Sequence, residues 1–102
     1  MQTIADVQPQ MDAIATYLGR TFPTASIERY HDSGRDVLGF KFTAASHCNV
    51  EFQTEFLKSL PRDESGVAME LHLRHVGAEI IETKREQRLI FTTTGTSREP
   101  TA

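Results

Sequence analysis

Four histidines, one cysteine and fourteen acidic side chains are the groups in this 102-residue chain that can ligate a metal, relay a proton or act as a nucleophile. Three of them stand at a spacing with chemical meaning. In "GVAMELHLRHVGAEIIE", His72, His75 and Glu79 share one face if the segment is a continuous helix. Two imidazoles and a carboxylate suit zinc or another borderline divalent metal, the one cofactor this sequence suggests. The same face carries Ala68 and Glu82, which is also the composition of an ordinary solvated surface.

The other reactive groups are less well placed. His47 and Cys48 are adjacent, and a neighbouring cation lowers a thiol pKa. Adjacent residues of a strand point to opposite faces, however, so adjacency is no catalytic dyad, and a lone cysteine is commonly a small buried hydrophobe. "DSGRD" offers backbone amides and Arg35 to an anion, yet it reads equally as a solvated turn. Asp63 and Glu64 precede a helical stretch, where the macrodipole favours negative charge. No GxGxxG, GxxxxGK[ST] or HExxH motif occurs.

The elements that position these groups follow from periodicity. Met11, Ile14, Ala15 and Leu18 recur at helical spacing, with Pro9 in a first turn and Pro23 beyond the exit. Asp32, Ser33 and Gly34 separate two strand-like segments into a β-hairpin. In the second of these, Leu38, Phe40 and Phe42 point one way, and Gly39 marks a bulge or a close backbone approach. Residues 48–53 suggest a short third strand, followed by a helical turn or two to Leu60, where Pro61 stops it.

The segment from Val67 is read as one helix reaching about Lys84. Met69, Leu73, Val76 and Ile80 form a first apolar stripe, and Val67, Leu71, Ala78 and Ile81 a second on the opposite side. The competing reading ends the helix at Gly77 and lets "AEIIET" pair with "RLIFTTT" as a hairpin. A final strand is expected at 88–94 and a disordered tail at 95–102. The expectation is therefore a single α+β domain over residues 1–94. It comprises an N-terminal helix, a β-hairpin or three-stranded antiparallel sheet, a C-terminal helix and a last strand.

Composition narrows the function. The net charge is −3 and both signs are mixed along the chain, so no segment has the concentrated positive charge of non-specific nucleic-acid binding. The small basic cluster Lys84, Arg85 and Arg88 is the nucleic-acid candidate. The order of elements is similar to that of a type II KH domain, but "LPRDESGVAM" stands where a GxxG loop is required. A single cysteine excludes an internal disulfide. No apolar run approaches a membrane span, and "MQTIADVQPQ" lacks a basic region and an apolar signal core, so a cytoplasmic protein without a membrane partner is expected.

These features favour a non-enzymatic interaction or regulatory domain. It would act on a protein partner or as a homodimer, with Val67, Leu71, Ala78 and Ile81 at the interface because a small core covers one face of a helix more easily than two. Metal binding by His72, His75 and Glu79 is the alternative, and RNA binding a second.

Overall fold

The computed structural model describes residues 7–43 and 48–101. The chain runs α1 (Gln8–Thr21), β1 (Ile27–Asp32), β2 (Val37–Phe42), β3 (Asn49–Gln53), α2 (Thr54–Ser59), α3 (Glu64–Leu73), α4 (Val76–Glu82), β4 (Gln87–Thr92) and β5 (Gly95–Pro100). This is a small α+β domain with a five-stranded mixed sheet, rather than the three-stranded antiparallel sheet expected from sequence. The sheet order is β1-β2-β3-β4-β5, and β3 and β4 are parallel because the three short helices carry the chain across between them.

α1 forms as its spacing dictates. Pro9 sits in the first turn, where its missing N–H has no helical partner to lose, and Met11, Ile14 and Leu18 are buried. The β1–β2 connection is an Asx turn: Asp32 Oδ1 accepts from the Gly34 and Arg35 amides at 3.1 and 3.2 Å. β3 passes directly into α2, and Thr54 at the junction ties back to Asp36 through its amide and hydroxyl.

Alternation in the strands assigns the two faces of the sheet. One row towards the helices reads Arg29, Phe40, Val50, Leu89 and Arg98, and the next His31, Leu38, Phe52, Phe91 and Thr96. The apolar members pack with all four helices in one core, in which Phe52 stacks between Phe56 and Phe91 at 6.0 and 5.2 Å. Both edge strands thus turn an arginine inwards. Arg29 pairs with Asp12 of α1 at 2.9 Å and Arg98 with Glu79 of α4 at 3.6 Å, which latches each edge to the helical layer and blunts it against strand addition.

The expected helix from Val67 to about Lys84 is broken. α3 ends at Leu73 and α4 starts at Val76, with His75 in the left-handed region at φ 56°. Histidine is among the residues enriched there, so no glycine is needed and the break falls two residues before Gly77. The break has a packing cause. On one rod Met69, Leu73, Val76 and Ile80 would share a stripe; here Val76 and Ile80 are buried while Met69 and Leu73 face solvent. Re-aiming the chain at His75 lets α3 bury Val67 and Leu71 and α4 bury Val76 and Ile80.

One further expectation is corrected. "AEIIET" is helical through Glu82, in line with the favoured reading rather than the competing hairpin, but β4 pairs with β5, which occupies the segment expected to be a disordered tail. The sequence signal for β5 is weak because all six of its residues are exposed. Gly95, at φ 147°, supplies the turn backbone that other residues rarely adopt. Among the described residues no helix is long and apolar enough to cross a membrane.

Candidate functional site

The surface of α3 and α4 is where the unusual exposure lies. Met69, Leu73 and Ile81 are 59%, 62% and 71% exposed, the large apolar side chains left in water among the described residues. Met69 borders an open groove of about 730 Å³ between α1 and α3, with Tyr17, Ala68 and His72 among its walls and Arg20 and Glu64 paired at 3.3 Å across one end. Asp63 fixes the start of α3, because its carboxylate accepts from the Gly66 amide at 2.7 Å and from Ser65 Oγ at 3.0 Å. The backbone hydrogen bond from Gly66 holds the Asp63 carboxyl below its ordinary range, with Ser65 adding to the effect. At the other end Arg74 caps the helix and lies 4.8 Å from the Phe56 ring centre.

The interface residues read from sequence divide. Val67 and Leu71 are fully buried, whereas Ala78 and Ile81 are exposed on α4. Met69 and Leu73, assigned by periodicity to the buried stripe, replace the first two at the surface.

The histidine cluster does not assemble as expected. His72 and His75 are exposed at the α3–α4 break, but the Glu79 carboxylate turns to Arg98, whose Nη2 also donates to the Glu79 carbonyl at 3.0 Å. Among the described residues no three His, Cys, Asp or Glu side chains are placed to share a metal ion. His47 lies outside the described residues, and Cys48 is buried in the core. The amides of the "DSGRD" turn are spent on Asp32, so they form no open anion nest. Lys84 and Arg85 are exposed in the α4–β4 connection, while Arg88 points from β4 and donates to the Thr101 carbonyl at 3.2 Å.

A second cluster was not visible in the sequence. On the sheet face away from the helices, one row reads Tyr30, Gly39, Glu51, Ile90 and Ser97. Glu51 is 2% exposed. Its carboxylate accepts two hydrogen bonds from the Arg35 guanidinium, at 2.6 and 3.0 Å, and one from the Tyr30 hydroxyl. Gly39 makes this possible: a Cβ there would stand 2.5 Å from the Tyr30 ring, so only glycine lets the ring lie across β2. Burial, and then the bond to Glu51, raise the Tyr30 hydroxyl pKa well above its ordinary value. The hydrogen bonds to Glu51 likewise raise that of Arg35. The group is a closed clamp that pins the β1–β2 turn to β3. Its only hint in the sequence is a glutamate between Val50 and Phe52, in a strand that is otherwise apolar at its centre.

Comparison with known proteins finds no matching protein-family model, no matching curated protein and no matching solved structure.

Proposed function

We propose that this chain is a non-enzymatic protein-interaction domain that docks a protein partner, or a second copy of itself, on the α3–α4 surface. The observation that carries this reading is the exposure of Met69, Leu73 and Ile81 within thirteen residues of chain, two of them on adjacent turns. Single exposed apolar side chains are ordinary, but Met69 and Leu73 one turn apart on α3, with Met69 bordering a groove, match the helix-face surfaces on which proteins assemble. Two carboxylates are held in ion pairs and not presented to a ligand: Glu51 by Arg35 and Tyr30, Glu79 by Arg98. The nucleic-acid alternative has less support, because Glu28 and Glu99 stand in the same open-face row as Lys41 and Arg88. In this reading the protein acts in the cytoplasm.

The test is the double substitution Met69→Ser/Leu73→Ser. Both side chains are exposed, so the variant should fold with unchanged secondary structure and lose self-association at micromolar concentration, or lose binding to the native partner. A wild-type chain that is strictly monomeric, and whose captured partners are all retained by the variant, would refute the assignment.

A further inference from the structure

A second recess lies on the opposite flank of α1, half a helical turn from the groove beside Met69. Between α1 and β1 is a cleft of about 230 Å³. Its floor is Met11 and Leu38, and Gln8, Arg29 and His31 are on its walls. The cleft exists because β1 departs from the pattern of its neighbours: where β2 and β3 turn phenylalanine and leucine towards the helices, β1 turns Arg29 and His31. Guarding the sheet edge accounts for an inward charge. It does not account for the open recess left above Met11 and Leu38.

The wall groups have capacity to spare. Arg29 Nη1 donates to Asp12 Oδ1 at 2.9 Å, and the remaining guanidinium N–H groups have no partner among the described residues. His31 likewise has none. The spare groups are mainly donors, which select an acceptor head, and the floor selects an apolar body. An engineered apolar cavity of about 150 Å³ takes up benzene, so this one has room for a single ring and a substituent.

We propose that the cleft binds a small monocarboxylate, its ring or branched hydrocarbon body over Met11 and Leu38 and its carboxylate on the free edge of Arg29. The site is separate from the α3–α4 surface and stands or falls independently of the proposed docking role.

The chain reports on itself through its methionines. Benzoate titrated into the full chain should shift the Met11 methyl carbon resonance saturably, at concentrations of about 1 mM or below, and leave that of Met69 in place. Benzyl alcohol, with the same body and no charge, should bind about tenfold more weakly to the wild type. Arg29→Met, which keeps the side-chain stem, should weaken benzoate by about the same factor. No saturable Met11 shift up to about 10 mM benzoate would overturn the site. Equal affinity for benzyl alcohol and benzoate, or for benzoate in the variant and the wild type, would overturn the carboxylate assignment.

Discussion

Arg35→Met is expected to cost more stability than Glu51→Gln, although the two residues belong to one ion pair. The asymmetry comes from where each partner sits. Glu51 is 2% exposed, whereas the Arg35 side chain is 33% exposed. Removing the arginine leaves a carboxylate in the sheet with the Tyr30 hydroxyl as its one remaining strong donor. Breaking a buried pair in this way costs about 3–5 kcal/mol, and the lower end applies because the guanidinium side is partly hydrated. Removing the charge of Glu51 instead frees an arginine that can turn to water, so the loss falls to about 1–1.5 kcal/mol. Urea unfolding followed by circular dichroism separates the two. With a slope of about 1–3 kcal/mol per M, the midpoint should fall by about 1–3 M for Arg35→Met and by about half as far or less for Glu51→Gln. The double variant Glu51→Leu/Arg35→Met, which removes both charges, should recover most of the loss. Equal midpoints for the two single variants, or the reverse order, would refute the reasoning that burial of Glu51 makes it depend on Arg35.

Three other outcomes follow from local geometry. Because the folded state raises the Tyr30 pKa, its contribution is fully present below the ordinary tyrosine value of about 10 and is lost as pH rises beyond it; the stability difference between wild type and Tyr30→Phe should therefore shrink in alkaline urea titrations. Gly39→Ala should destabilise by about 1–3 kcal/mol, since the new Cβ meets the Tyr30 ring, and a double-mutant cycle with Tyr30→Ala should show that the two changes are not additive. His75→Gly should raise the melting temperature by a few degrees, because relief of about 1–2 kcal/mol of left-handed strain exceeds the added chain entropy of about 0.5–1 kcal/mol.

Elements whose apolar residues repeat locally were legible in the sequence. α1, the β1–β2 hairpin and the passage from β3 into a short helix ending near Leu60 all lie where periodicity and turn residues place them. β4 was legible too, because "RLIFTTT" is a short run of apolar, β-branched and aromatic residues, of which Leu89 and Phe91 bury towards the helices. β5 was not, since an edge strand exposed along its length carries no burial pattern. The α3–α4 break escaped notice because the left-handed position is held by His75, while the visible signal was Gly77. Once the rod was assumed continuous, its two stripes were equivalent, and only tertiary packing determines that Val67 and Leu71 face inwards while Met69 and Leu73 face out. The Tyr30–Arg35–Glu51 clamp was beyond local reading for a different reason. Its members are sixteen and twenty-one residues apart, and strand register brings them together.

The docking role of the α3–α4 surface is tested most directly by a photo-crosslinking amino acid placed at Leu73 and, as a control, at Glu28 on the open face of the sheet, each in the full chain in its native host. The expected result is a discrete protein adduct from position 73 that is absent from position 28 and disappears when Met69 is changed to serine; an adduct of twice the chain mass would identify a second copy as the occupant. No adduct from position 73, or the same adducts from both positions, would contradict the account.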